Sequence, residues 1–213
     1  MSSWTPADYW NLIHAERARV LEVLEGLSEH DWHAKTLSSD WTTEQVVAHL
    51  TAGANTGLFP WMWSMARSGF NAGKHNERRL ARYLGDTPEQ TLEMFRRSIT
   101  NTTAPTKDHA AWLGEVIVHG QDIARPLEIG LTPDPTAVEE VARFYADKDF
   151  AVNSKSLTEG LILEANDSPF RHGSGPAIKG KLLNLVMAMA GRSVYLADLE
   201  GDGVAELSLR LTQ

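Results

Sequence analysis

The chain has 213 residues, 42% of them hydrophobic and 23% charged, an ordinary composition for a soluble globular protein with one sizeable core or two modest ones. The formal net charge of -8 and the lack of any lysine- or arginine-rich run argue against nucleic acid as a partner. The absence of cysteine excludes a disulfide framework. With neither a secretory signal pattern nor an apolar stretch near the roughly 20 residues of a membrane span, we expect a cytoplasmic protein without a membrane partner.

Helix start signals organise the first part of the chain. Thr5 as an N-cap and Pro6 at the first helical position predict an amphipathic helix that ends near Gly26. After a connecting segment, Thr42 and Gln45 form a possible capping box and open a second helix. These signals predict where the first two helices begin.

Two more helices complete a predicted bundle. The second helix is expected to run to about Ser68, and the polar residues 71–86 are interpreted as a loop or an irregular helical link. Thr87 and Pro88 open the third helix, and "AWLGEVIVHGQDIARPL", residues 111–127, is the fourth. Four helices with short or medium links are most simply stacked as a four-helix bundle, whose centre can hold a metal or a ligand.

The pattern changes near residue 130, where prolines interrupt the helices. We therefore predict two domains, 1–130 and 131–213, the second a small α+β unit. Its expected elements are a helix over 137–150, a strand within 157–167, a helix over 176–191 with Pro176 in the first turn, and a last strand over 203–211. The predicted fold class is mainly α, a four-helix bundle followed by a small α+β C-terminal domain.

Three polar residues share one stripe of the predicted fourth helix. Glu115, His119 and Asp122 stand at i, i+4 and i+7, and the rest of the helix is apolar nearly all round. The simplest explanation is an exposed Glu–His pair, common on any helix, but no other face of this helix is more polar. If the stripe is buried, its carboxylates need a cation or several hydrogen bonds.

Glu115 and His119, one turn apart, are able to share one metal ion but fill only two positions. Two histidines and one carboxylate are a standard set for catalytic zinc and for non-haem iron, so a third ligand would come from another helix. The candidates are His14, His30, His33, His49, His75, His109 and His172. His49 is favoured because it should face the bundle, although a core histidine bonded to a backbone carbonyl is the alternative. His30, His33 and His75 lie in polar links and are expected to be solvated.

Several segments together resemble a known family. "WTTEQVVAHL", "GEVIVHGQDIARPLEIG", "GSGPAIKG", "AMAGR" and "LEGDGV", in this order, resemble the mycothiol-dependent maleylpyruvate isomerase family of the DinB-like metalloprotein superfamily. The resemblance covers nearly the whole chain and is weakest over 69–110. It implies a DinB-like four-helix bundle that holds a divalent metal, usually zinc, through His49, Glu115 and His119. Asp122 would then orient a ligand or hold a polar group of the thiol cofactor.

The resemblance also implies a chemistry. Members of this family use the open metal position to bind the thiol of mycothiol, a low-molecular-weight actinobacterial thiol, which becomes nucleophilic as thiolate. We therefore expect an enzyme that adds this sulfur to an electrophilic small molecule, either an S-transferase or a maleylpyruvate-isomerase-like cis–trans isomerase. Asp122 and Arg192 are the candidate catalytic and cofactor-binding residues, Arg192 through a carboxylate of cofactor or substrate. The alternative for Arg192 is a surface residue near a helix C-terminus.

A second function stays open at the level of sequence. The protein would be a non-catalytic metal-binding carrier or stress-associated protein of the same fold. An enzyme needs a solvent-reachable position at the metal, whereas a structural site is closed by a fourth protein ligand. The aromatic segment "LFPWMWSM", residues 58–65, is suited to a pocket wall, a core or the interface of a homodimer, so a monomer and a homodimer are both compatible with the sequence.

Overall fold

The structure, a computed structural model, describes residues 4–38, 41–150 and 152–212. The chain divides into two compact units, the first ending at Pro133 and the second beginning at Asp134. Within the described residues, no helix has the length and apolar character needed to cross a membrane. The helices of the first unit are α1 (Pro6–Glu25), α2 (Glu29–His33), α3 (Thr43–Ala54), α4 (Leu58–Arg67), α5 (Ala72–Leu80), α6 (Pro88–Ser98) and α7 (His109–Ala124).

Side-chain caps begin the helices that the sequence predicted. The Thr5 hydroxyl accepts from the Asp8 N–H at 3.3 Å, and the Asp8 carboxylate accepts from the Thr5 N–H at 2.8 Å. Thr42 and Gln45 form the same reciprocal box at the start of α3, and Thr87 caps α6. Each cap satisfies N–H groups that a helix cannot pair internally, and the predicted starts of α1, α3 and α6 are confirmed.

Helices α1, α7, α3 and α6 form the predicted four-helix bundle. They follow one another around the bundle in that order, because α1 and α3 each pack against both α7 and α6. Gly120 brings α7 close to α1, since a Cβ there would lie 3.0 Å from Val20 Cγ2 and 2.9 Å from Leu131 Cδ2. The core side chains of the bundle include Ile13, Val20, Leu24, Val46, Val47, Phe95, Leu113 and Ile117.

A buried arginine of α1 closes the C-terminal end of α6. Arg17 is 4% exposed, and its Nη1 donates to the carbonyls of Ser98, Ile99 and Asn101 at 3.3, 3.2 and 2.9 Å. Burial lowers the pKa of Arg17 to about 10, so it is still charged at neutral pH. The cation therefore pairs with carbonyl groups that the end of a helix leaves free.

The segment between α3 and α6 differs from its prediction. The second helix does not run to Ser68, because α3 ends at Ala54 and a separate α4 begins at Leu58. At the break the Thr56 hydroxyl donates back to the Ala52 carbonyl at 2.5 Å. Residues 71–86, expected to be a loop or an irregular link, contain the regular helix α5, which packs against α3 and α4. Tertiary packing, more than local propensity, stabilises so polar a helix.

The second unit combines helices with a small sheet. Strand β1 pairs antiparallel with β2 and parallel with β3, in the order β2-β1-β3. Leu163 of β1 lies opposite Ile178 of β3, and both side chains are buried. Its elements are α8 (Pro135–Asp147), α9 (Ser154–Thr158), β1 (Ile162–Ala165), β2 (Arg171–Gly173), β3 (Ala177–Gly180), α10 (Leu182–Met189), a 3₁₀ helix (Ser193–Asp198) and α11 (Gly203–Leu211).

Two of the predicted elements in this unit are wrong. The helix expected over 176–191 begins only at Leu182, because the residues before it form β3 and pair with β1. The last element, expected to be a strand, is helix α11, whose buried side includes Leu207 while Leu209 is 66% exposed. A short apolar pattern does not by itself distinguish a strand from a helix, and packing against β3 and α9 decides here.

Candidate metal centre

Two bundle helices bring the predicted ligands together. Glu115 and His119 lie one turn apart on α7, and His49 lies on α3, which packs against α7. Glu115 Oε1 is 2.5 Å from His49 Nε2 and 3.7 Å from His119 Nε2. One ligand atom from each residue lies within 4.8 Å of the other two, and no other such group occurs among the described residues.

A buried carboxylate orients His119. Its Nδ1 lies 2.9 Å from Asp122 Oδ2, and the Asp122 side chain is fully buried. Because an ionised carboxylate only accepts hydrogen bonds, Nδ1 carries the proton and Nε2 keeps its lone pair. Nε2 with its free lone pair lies 3.7 Å from Glu115 Oε1, and this is the tautomer that a metal-binding histidine needs. Asp122 supports His119 and does not belong to the cluster itself.

The cluster suits a divalent ion by its chemistry and its spacing. Two imidazoles and one carboxylate are a common ligand set for catalytic zinc, and donors of one tetrahedral site lie about 3–4 Å apart. The Glu115–His119 separation of 3.7 Å falls in this range, and the shorter contact between Glu115 and His49 is a hydrogen bond. The three residues therefore fit a metal of this class.

A small cavity opens beside the cluster. Its volume is about 70 Å³, and His49 and Glu115 line it together with Trp61, Trp112 and His75. The two indole rings give it largely apolar walls. Since the side chain of Glu115 is 23% exposed, the cluster is accessible from this side, and a site closed by protein on all sides is not what the geometry describes.

Comparisons with known proteins identify the bundle. Residues 13–112 match the family model described as the mycothiol maleylpyruvate isomerase N-terminal domain. Just under half of the chain, 100 of 213 residues, is therefore similar to the N-terminal domain of that family. Two crystal structures of the mycothiol-dependent maleylpyruvate isomerase, one of them a histidine-to-alanine mutant, share its fold: the mutant at 15% identity and a TM-score of 0.66, the other at 14% and 0.59. Each covers 95% of this chain and 96% of its own. No curated protein matches the sequence.

The likeness extends over both units. The predicted fold, a mainly helical chain with a four-helix bundle followed by a small α+β unit, is confirmed by this likeness. At such low identity the solved structures bear on the fold alone. The ligand set stays a prediction that the arrangement of His49, Glu115 and His119 supports.

Two polar side chains on α5 line the cavity and were missed by sequence reasoning. His75 and Arg79, one helical turn apart, are 6% and 7% exposed. The expectation that His75 is solvated is therefore wrong, because α5 turns this face towards α3 and α4. The i, i+4 spacing of the two residues was the available signal. His30 and His33 are exposed, as expected.

The environment of His75 disfavours the protonated form of its ring. Burial is the main cause that lowers the pKa of His75, with a smaller effect from the charge of Arg79. The imidazole lies edge-on to the Trp61 ring at 5.9 Å between centroids. Its Nδ1 has no hydrogen-bond partner among the described residues.

Arg192 belongs to the second unit. It directly precedes the 3₁₀ helix, and its Nη1 donates to the Ala190 carbonyl at 2.6 Å. Its side chain is half-buried, and Ala190 is the C-cap of α10, so this bond agrees with the alternative of a residue that pairs with the C-terminal end of a helix. A role in binding a carboxylate stays a prediction.

The aromatic segment over 58–65 has two sides. Trp61 lines the cavity beside His49 and Glu115, whereas Phe59 and Trp63 are 82% and 67% exposed. Of the uses considered from the sequence, the role of a pocket wall is therefore supported for Trp61, and a core role is excluded for the other two aromatics.

Proposed function

We propose that this protein is a metal-dependent, mycothiol-using enzyme that adds a thiol to an electrophilic small molecule. The observation that carries the proposal is a group of three candidate metal ligands, His49, Glu115 and His119, with a cavity on one side. Three protein ligands with an accessible fourth position are typical of catalytic zinc sites. The accessible side favours an enzyme over a non-catalytic carrier with a closed metal site.

A divalent ion at this cluster would supply a positive charge that lowers the pKa of a thiol and favours its nucleophilic thiolate form. The residues of the chain have separate tasks around it. His49, Glu115 and His119 hold the ion, and Asp122 fixes the tautomer of His119 through the bond at 2.9 Å. Asp122 is thus a positioning residue in this proposal.

The cavity walls determine what can approach the cluster. Trp61 and Trp112 offer apolar surface for the electrophile and reduce the access of water to the reacting sulfur. The buried guanidinium of Arg79 adds a positive charge to the same cavity, which favours a thiolate over a thiol.

We propose that Arg192 binds a carboxylate of cofactor or substrate, as a guanidinium does through two parallel hydrogen bonds.

The reaction is either an S-conjugation or a cis–trans isomerisation. In a conjugation the sulfur–carbon bond is retained in the product: either a leaving group departs from the carbon and the thiol proton is lost to solvent, or the proton is taken up at the other carbon of an activated double bond. In an isomerisation the sulfur adds to one carbon of a double bond, and the molecule rotates about the carbon–carbon single bond that results. The sulfur–carbon bond then breaks, which restores the double bond and releases the thiol. Both begin with the same attack, and for that reason the cluster supports both equally.

The proposal is tested by metal analysis and by a thiol-dependent assay on the purified protein. We expect about one equivalent of a divalent ion per chain and mycothiol-dependent loss of maleylpyruvate or of an alkylating electrophile. H49A should lose both the ion and the activity. H33A, which removes an exposed histidine from α2, is the matched control and should retain both.

Two outcomes would contradict the proposal in different ways. A protein that neither contains nor binds a divalent ion would show that the cluster is not a metal site. A protein that binds the ion through His49 but shows no thiol-dependent reaction with either class of electrophile would favour the alternative function, a non-catalytic metal-binding carrier.

The proposed carboxylate contact of Arg192 has its own test. An R192K variant that retains the ion and has a higher KM for the electrophile would support that contact.

A further inference from the structure

A second cavity in the first unit is lined by four arginines. It lies at α4 and α5 and has a volume of about 220 Å³. We call it the arginine cavity. The residues that line it are Pro60, Trp63, Ser64, Arg67, Arg78, Arg79 and Arg82. No acidic side chain lines it, although acidic residues outnumber basic ones in the chain by 28 to 20.

The four guanidinium groups have no carboxylate partner. Among the described residues, none of them takes part in an ion pair, whereas Arg96, on α6, pairs with both Glu25 and Glu93. Arg78 donates instead to the Ser68 hydroxyl at 3.2 Å and to the carbonyl of Arg67 at 3.5 Å. Four cations that share one cavity repel one another, so the site carries an excess of positive charge.

The buried end of the arginine cavity contains unsatisfied polar groups. Arg79 is 7% exposed and Ser64 is 6% exposed. Arg79 donates to the Thr56 hydroxyl through one terminal nitrogen, yet its Nε and the Ser64 hydroxyl oxygen have no partner among the described residues. Buried polar groups are nearly always hydrogen-bonded. An unpaired donor on a buried cation, beside a cavity, points to a ligand that supplies acceptors.

We propose that the arginine cavity binds the phosphate group of a small molecule. A phosphate monoester carries about -1.5 to -2 charges at neutral pH, so it offsets more of the excess charge than a single carboxylate does. Guanidinium groups also match phosphate oxygens with two parallel hydrogen bonds each. The cavity is smaller than the roughly 300–1,000 Å³ of a site for a drug-sized ligand, which limits the ligand to a small phosphorylated compound.

The surroundings of the arginine cavity agree with this ligand class. Burial lowers the pKa of Arg79, and a bound anion would compensate for that cost. Trp63 lines the cavity and is 67% exposed, so its indole ring offers a surface for the organic part of the ligand. Because Arg79 lines this cavity and the one beside the metal cluster, an anion here would lie close to the candidate metal centre. The proposal does not depend on the function proposed for that centre.

The proposal is tested by isothermal titration calorimetry of the full chain at constant ionic strength. The two ligands are inorganic phosphate and phenyl phosphate. We expect saturable binding of both, tighter for phenyl phosphate because its ring can contact Trp63. R67Q/R82Q replaces two exposed arginines of the cavity and should weaken binding by about tenfold or more. R67K/R82K keeps the positive charges but not the planar guanidinium groups, so its affinity for phosphate should lie between that of the unmodified chain and that of R67Q/R82Q.

The matched control is R96Q/R97Q, which removes the same two charges from exposed positions on α6. It should bind phosphate within about twofold of the unmodified chain if the effect is local. Circular dichroism confirms that each variant is folded. An equal loss in both double variants would overturn the proposal, because net charge alone would then explain binding.

Other results would overturn the proposal as well. The absence of any heat with either phosphate up to millimolar concentration, at two temperatures so that a binding enthalpy near zero cannot conceal binding, would show that the cavity has no such ligand. Phosphate binding that survives R67Q/R82Q would assign the anion to another site, the metal cluster included. Tighter binding of succinate than of phenyl phosphate would replace phosphate with a dicarboxylate. Binding of anionic lipid vesicles without any binding of the two phosphates would assign the arginines to a membrane surface.

Discussion

Replacing Asp122 with asparagine tests whether a buried carboxylate prepares His119 for a metal ion. Asp122 is fully buried, and its Oδ2 lies 2.9 Å from His119 Nδ1. D122N keeps the size of the side chain and one acceptor oxygen but removes the negative charge. We expect the variant to fold and to bind zinc more weakly, because the neutral amide holds the imidazole less firmly and makes Nε2 less basic.

The expected loss follows from this one hydrogen bond. A bond to a charged group contributes about 1.5–3 kcal/mol, and a neutral bond is about half as strong. D122N should therefore lose about 1–1.5 kcal/mol, or about tenfold in the Kd for zinc. D122A removes the acceptor altogether and should lie nearer to the upper end of the 10- to 100-fold range observed for such supporting groups.

The assay is a competition titration of metal-free protein with zinc and a chromophoric chelator. Circular dichroism and thermal unfolding without metal show whether each variant is folded before affinities are compared. D86N is the matched control, since Asp86 is exposed in the link before α6 and the chemical change is the same. D86N should bind zinc as the unmodified chain does.

A Kd for D122N within twofold of that of the unmodified chain would refute the reasoning, provided that the variant is folded. It would mean that the bond between Asp122 and His119 serves the stability of α7 and not the ion. Unequal unfolding temperatures of the metal-free proteins, with equal Kd values, would support that explanation directly.

Three further predictions concern metal, packing and pH. A chelator should lower the Tm of metal-loaded protein by about 5–10 °C if free metal was near 100 times Kd, and an unchanged Tm would contradict a bound ion. R17A should lower the free energy of unfolding by about 2–3 kcal/mol, since three carbonyls lose a buried charged donor. The control R97A, at an exposed position, should change it by less than about 0.5 kcal/mol. Equal urea denaturation midpoints for R17A and R97A would contradict this prediction. The pKa of His75 is lowered in the folded state, so the unfolded chain binds the proton first and stability should fall as pH drops below about 6.5. H75Q should reduce this slope in urea titrations at several pH values, and an identical slope would exclude His75 as its source.

Elements with strong local signals were predictable. Thr5, Thr42 and Thr87 begin their helices through bonds to residues three positions away, and such short-range caps can be recognised in a sequence. The same holds for Glu115 and His119, because helical spacing alone puts residues four apart on one face. Two of the three candidate ligands were thus visible as a local pattern.

Elements whose state depends on distant partners were not predictable in the same way. Residues 177–180 form a strand because β1 pairs with them, and α11 became a helix although its apolar residues suggested a strand. The break between α3 and α4, by contrast, does carry local signals that the prediction overlooked, because Asn55 is the C-cap of α3 and Gly57 is the N-cap of α4. Short apolar segments are ambiguous locally, and long-range packing decides between their two states.

The tertiary structure decides the position of the third candidate ligand and forms the cavity. His49 is 66 positions from Glu115 along the chain, and only the packing of α3 on α7 brings its Nε2 to within 2.5 Å of the carboxylate. From the sequence, His49 was favoured because its helix face was expected to point into the bundle and because of the family resemblance. The same reasoning wrongly predicted that His75 is exposed to solvent. A local pattern specifies which face of a helix a side chain occupies, whereas the burial of that face depends on which other helices cover it.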